Sequence, residues 1–91
     1  MDSIAVWLKI DGERLADALH ETREKLNGAQ SEVVLDFSSV RRIDPNALRA
    51  MEALAASADE KTLKVVLRGV NVDIYKVLKL VKLAPRFSFL N

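Results

Sequence analysis

Apolar positions recur along this chain with two periods, one suited to strands and one to helices, and the alternation lays out its elements. Ile4-Ala5-Val6-Trp7-Leu8-Lys9-Ile10 is an almost unbroken apolar run, which predicts a strand covered on both faces. Asp11-Gly12 closes it with turn chemistry. From about Glu13 to Leu26 the period lengthens: Leu15, Leu19, Thr22 and Leu26 fall on one helical stripe flanked by Ala16 and Ala18. Asn27-Gly28 suits the end of that helix. Its other face, Glu13, Arg14, Asp17, Glu21, Arg23, Glu24 and Lys25, carries mixed charge and reads as solvated surface.

A second strand, Glu32-Val33-Val34-Leu35-Asp36-Phe37, is rich in β-branched and aromatic side chains. Ser38-Ser39-Val40-Arg41-Arg42 turns the chain, and Asp44-Pro45 opens a helix reaching about Ala58. Asp44 suits the N-cap because its carboxylate can accept a backbone N–H; Pro45 suits the first helical position, where no N–H is needed. Leu48, Met51, Leu54, Ala55 and Ala58 form the buried stripe, and Asp59-Glu60-Lys61 is the exit. Leu63-Lys64-Val65-Val66-Leu67-Arg68 predicts a third strand, broken at Gly69. A third helix starts at Asn71 or Asp73, with Ile74, Val77, Leu78 and Val81 inward. Ala84-Pro85 should end it, since the residue before proline resists helical geometry. Phe87-Ser88-Phe89-Leu90 alternates and suits a short last strand.

Strands near residues 4, 32 and 63, each followed by a helix, predict an α/β fold, with a small, mostly parallel sheet of about four strands and helices packed on it. The length suits one domain over residues 1–91. Sites in such sheets gather where the carboxyl ends of the strands meet. Asp11-Gly12, Ser38 to Asn46 and Gly69 to Asp73 should therefore converge on one rim.

Charge and composition narrow the function. Fourteen basic and thirteen acidic residues nearly cancel, so no global field recruits nucleic acid or a membrane. The chain has no cysteine and a single histidine, which argues against disulfides, thiol chemistry and a histidine-built zinc site. No basic n-region with an apolar h-region opens it, and no apolar run approaches the ~20 residues of a bilayer span, so a soluble cytoplasmic domain is expected. GxxxxGK[ST], GxGxxG and HExxH motifs are all missing. His20 reads as a helix-surface residue. Asp36 and Asp44 could be imagined as an acid/base pair, but capping for Asp44 and a backbone partner for Asp36 are the simpler roles. Lys76, Lys79 and Lys82 recur on the last helix; phosphates or acidic lipid headgroups could meet them, but from charge alone a solvated face is simpler. Tyr75 flanks that stripe. Arg41-Arg42 beside a helix start makes a positive rim suited to acidic groups. No cofactor is expected.

Val33-Val34-Leu35-Asp36-Phe37-Ser38-Ser39-Val40-Arg41-Arg42-Ile43-Asp44-Pro45-Asn46-Ala47-Leu48 resembles the signature segment of STAS domains. Leu67-Arg68-Gly69-Val70-Asn71 and Val77 to Leu83 resemble the family's last strand, loop and final helix, and Gly12 also fits. The resemblance runs from about Ile4 to Phe87. It implies a domain that binds rather than catalyses. In anti-sigma-factor antagonists of this family, a Ser or Thr directly after the motif Asp is phosphorylated by the partner kinase, which releases that partner. Here that position is Pro45, which has no hydroxyl, and Asn46 follows. The resemblance thus implies either an unswitched antagonist, bound to a serine-kinase-like ATP-binding protein, or the STAS subunit of an ABC-type phospholipid transporter, bound to its ATPase. The expected binding surface is Ser38, Ser39, Arg41, Arg42, Asp44, Pro45, Asn46 and Arg49, with Asn71 from the neighbouring loop. Cap or turn roles are the simpler reading for the hydroxyls of Ser38, Ser39 and Ser57. Family members usually begin with an extra edge strand, for which this chain looks too short before Ile4. An uncovered edge invites a partner strand or a second copy, forming a homodimer.

Overall fold

The computed structural model describes residues 6–28 and 31–90. Four strands, β1 (Val6–Lys9), β2 (Glu32–Asp36), β3 (Lys64–Arg68) and β4 (Ser88–Leu90), form one sheet in the order β1-β2-β3-β4. Every neighbouring pair is parallel. Between them run α1 (Leu15–Lys25), α2 (Pro45–Glu60) and α3 (Val72–Leu80). The predicted α/β fold with a small parallel sheet is the observed one. No helix among the described residues is long and apolar enough to cross a membrane.

Crossovers that all step the same way, each with the usual right hand, place their helices on one face of the sheet. The burial pattern agrees. Val33 and Leu35 of β2 and Val65 and Leu67 of β3 join the main core, with Leu15, Leu19 and Leu26 beneath α1 and Met51 and Leu54 beneath α2. Each such side chain contributes about 1.5–3 kcal/mol by leaving water. Val34 and Val66 are buried but lie outside that cluster. They share a cross-strand row with Trp7 on the sheet's other face.

This arrangement corrects the expectation for the first strand. Ile4 and Ala5 lie outside the described residues, and β1 is not covered on both faces. It alternates half-buried and exposed, with Trp7 58% exposed. As the edge strand of a sheet with helices on one face, β1 needs only one apolar side.

The helix α1 follows a 3-10 turn at Gly12–Arg14 that Asp11 caps, and its predicted stripe, Leu15, Leu19, Thr22 and Leu26, is buried throughout. Small residues on α2, among them Ala47, Ala50, Ala55 and Ala58, let it lie close to its neighbours. Ser57 takes neither a cap nor a turn role: it is buried within α2, and its Oγ accepts a hydrogen bond from Arg23 Nε of α1 at 2.7 Å. Arg23 is therefore more than solvated charge.

The third helix ends earlier than the expected stop at Ala84-Pro85. It stops at Leu80, and Lys82 turns the chain with φ 65°. Leu83 N–H then donates to Leu78 O at 2.8 Å and buries its side chain, a Schellman ending that satisfies the last carbonyls before proline is reached. Val81 lies past this stop and is 45% exposed rather than inward. Pro85 instead sits in a short 3-10 turn leading to β4.

Candidate functional site

The carboxyl ends of β1, β2 and β3 meet at one rim, and the loop from Phe37 to Asp44 is its centre. Phe37 and Val40, both buried, anchor the ends of a tight turn closed by Val40 N–H to Phe37 O at 2.9 Å. Asp36 starts the turn by accepting from Ser38 N–H at 2.9 Å. That backbone bond first, then the Ser38 hydroxyl, with the Arg68 and Lys9 charges behind, hold the Asp36 carboxyl below its ordinary value. Arg68 stands 3.8 Å away, a loose and partly exposed contact worth little in stability.

Neighbouring turns clamp this loop on both sides. On the β1 side, Ser39 Oγ donates to Ile10 O at 3.0 Å. Gly12 lies so close that a Cβ there would sit 2.3 Å from Ser39 O. On the β3 side, Gly69 adopts φ +74° and packs against Ser38, a conformation glycine reaches without Cβ strain. Asn71 has two roles at once. Its Oδ1 accepts from Ile74 N–H at 2.8 Å to cap α3, while its Nδ2 donates to Val40 O and Arg41 O at 3.3 and 3.2 Å.

The loop leads into α2 as expected. Asp44 is the N-cap, with Oδ1 accepting from Ala47 N–H at 2.8 Å, and Pro45 is the first helical residue. Asn46 Oδ1 accepts from Arg49 across one helical turn. Arg41 and Arg42 stand exposed between two open grooves. One, of about 540 Å³, runs along the first turn of α1, past Glu13, Arg14 and Asp17, to Asp44 and Asn46. The other, of about 300 Å³, runs between Ile43 and the Asp73, Ile74 and Val77 side of α3.

All nine residues expected at the binding surface, Ser38, Ser39, Arg41, Arg42, Asp44, Pro45, Asn46, Arg49 and Asn71, are exposed and belong to this rim or the first turns of α2. Four have side chains committed to the fold: Ser38 to Asp36, Ser39 to the chain just after β1, Asp44 to its cap and Asn71 to cap and loop. The remaining reach into solvent rests chiefly with Arg41, Arg42, Pro45, Asn46 and Arg49. Sequence reasoning missed the contribution of α1. The convergence of strand ends pointed to Asp11-Gly12, and the helical turn directly after it, Glu13 to Asp17, was the available signal for that groove wall.

The described residues hold no cluster of three or more His, Cys, Asp and Glu side chains placed for a metal ion. His20 is exposed on α1. What the rim offers is shape and charge: a stiff basic ridge, a proline corner and two grooves. No curated protein matches the chain. A family model described as Mlab, STAS domain, matches residues 1–85, which takes in the sheet up to β3, all three helices and the whole rim, and the chain belongs to that family.

Proposed function

We propose that this chain is a non-catalytic protein-interaction domain that grips its partner through the corner from Ser38 to Arg49, in the manner of an anti-sigma-factor antagonist. The partner on this reading is a serine-kinase-like ATP-binding protein offering acidic groups to Arg41, Arg42 and Arg49. The observation that carries the reading is the pinned loop: hydrogen bonds from Ser39 and Asn71 and the close approach of Gly12 hold an exposed basic ridge in one shape. A surface ordered beforehand loses little conformational entropy on binding. Pro45 at the first helical position carries no hydroxyl, so binding on this reading is constitutive at the position where the family's anti-sigma-factor antagonists are switched.

A second reading keeps the same surface and changes the partner to the ATPase of an ABC-type phospholipid transporter. It draws on the tail from Gly69 to Leu80, which resembles that transporter's STAS subunit, and on the match to a model described as Mlab, STAS domain.

Affinity capture with the wild-type chain and with Asn46→Arg, followed by mass spectrometry, tests both. Asn46 is exposed, so the variant should keep its circular dichroism while losing the captured protein. A kinase-like ATP-binding protein among the losses supports the first reading, and a transporter ATPase the second. Unchanged capture by a folded Asn46→Arg moves the binding surface elsewhere.

A further inference from the structure

Away from the rim, exposed apolar surface is concentrated on one side of the molecule. Of the seven large hydrophobic side chains exposed among the described residues, six (Val72, Tyr75, Leu80, Val81, Phe89 and Leu90) lie on α3, just after it, or on β4. The seventh, Trp7, is on β1 at the opposite edge of the sheet. Leu80 and Val72 are the most exposed of all, at 82% and 66%.

The same face is basic. Helical spacing sets Val72, Lys76 and Leu80 in one row, with Tyr75 and Lys79 in the row beside it. Lys76, Lys79 and Lys82 against Asp73 leave +2 within one short segment of a chain whose net charge is +1. None of these three lysines forms a salt bridge among the described residues. Tyr75 stacks edge-to-face on Phe89, with ring centroids 5.1 Å apart, and so joins the helix face to the strand.

A merely solvated face explains the lysines but not a leucine and a valine at the two most exposed apolar positions. An acidic protein would answer the lysines, but it would favour a pocket for its anchoring side chains. The cleft bounded by Val70, Val72, Tyr75, Phe89 and Leu90 is small, about 240 Å³, and Leu80 is not part of its lining. Apolar side chains spread along the exposed side of a helix and interleaved with lysines suit a lipid surface. There the apolar groups enter the acyl boundary while lysine stems reach back to the headgroups.

We propose that the outer face of α3, with β4 beside it, rests on the surface of an anionic lipid membrane through Val72, Tyr75 and Leu80 and the lysines 76, 79 and 82. The rim, which lies at the amino end of α3, stays free for its partner.

Sedimentation of the purified chain with phosphatidylcholine vesicles, with and without phosphatidylglycerol, tests the proposal. Binding is expected only when phosphatidylglycerol is present and should weaken as salt rises. The double variant Lys76→Glu/Lys79→Glu should lose affinity by about thirtyfold or more, and Leu80→Ser by about tenfold. Both variants change exposed residues, and unaltered circular dichroism would show that they fold. Trp7 emission should not shift, because β1 lies at the opposite edge of the sheet from β4. No binding to phosphatidylglycerol vesicles overturns the proposal, as does binding indifferent to both variants or a blue shift of Trp7. Loss of a captured protein by the charge-reversed variant, with vesicle binding intact, gives the face to a protein partner and also overturns it.

Discussion

The helices α2 and α3 are built with the same terminal chemistry and used in opposite ways. Each begins with a polar side chain, Asp44 or Asn71, that accepts from the backbone N–H three residues on at 2.8 Å. Each ends in a Schellman pattern, Leu63 N–H to Ala58 O and Leu83 N–H to Leu78 O, both 2.8 Å. In each the chain then passes through the left-handed region at a residue other than glycine, Thr62 with φ 57° and Lys82 with φ 65°. Yet α2 buries seven residues and α3 only two. Capping fixes where a helix starts and stops; its neighbours fix how much of it is buried. Packed against both α1 and the sheet, α2 leaves only polar and small residues outside, such as Asn46, Arg49, Glu52 and Ala56, whereas α3, near the sheet's β4 edge, keeps Val72, Tyr75 and Leu80 exposed.

The widest gap between the two helices should appear in their leucines. Leu54 of α2 is fully buried and Leu80 of α3 is 82% exposed. Leu54→Ala removes core volume where α1, α2 and the sheet meet and should lower stability by about 3 kcal/mol. Leu80→Ala should change it by less than ~0.5 kcal/mol. Urea unfolding followed by circular dichroism reads both, and comparable losses would mean that α3 is as deeply built in as α2.

The caps should differ in the other direction. Asp44 contributes one side-chain hydrogen bond to α2, so Asp44→Ala should cost about 1 kcal/mol. Asn71 caps α3 and also holds two carbonyls of the basic loop, so Asn71→Ala should cost about 2 kcal/mol. Amide exchange around Val40 to Ile43 should quicken only in the second variant. Equal costs, with the loop undisturbed, would reduce Asn71 to an ordinary cap.

Much of this architecture can be read from local chemistry. The stripe Leu15, Leu19, Thr22, Leu26 and the pair Asp44-Pro45 placed α1 and the start of α2 because periodicity and capping act over a few residues. What escaped depends on contacts distant in sequence. Ser57 is an ordinary helical serine until Arg23, 34 residues earlier, is found donating to it. The end of α3 turned on Lys82 accepting a left-handed conformation, for which no glycine gave a signal. The first strand looked fully buried by composition, but its position at the edge of a sheet with helices on one face exposes Trp7. At the rim, the corner residues were legible as turn and cap, while the groove wall from α1 and the double role of Asn71 exist only once three separate loops are brought together.

The smallest predicted effect concerns how the chain reaches each helix. From β3 to α3 it takes a short turn through Gly69, while from β2 to α2 it follows the longer loop that Asp36 begins by accepting from Ser38 N–H. The hydrogen bonds to Ser38, aided by Arg68 and Lys9, favour the charged carboxylate and lower its folded pKa from the ordinary 3.8. The unfolded chain, whose Asp36 keeps that ordinary value, therefore binds the proton first as the solution is acidified. The stabilisation is fully present above about pH 4 and is lost as pH falls through the lowered folded value. Asp36→Asn keeps an oxygen to accept from Ser38 but removes the charge, so it should reduce stability slightly at neutral pH and flatten the acid limb of the stability curve. Urea midpoints taken from neutral to acidic pH decide it: two parallel curves would mean that the carboxylate's charge adds nothing, and that the long loop is held by Asn71, Ser39 and the two glycines alone.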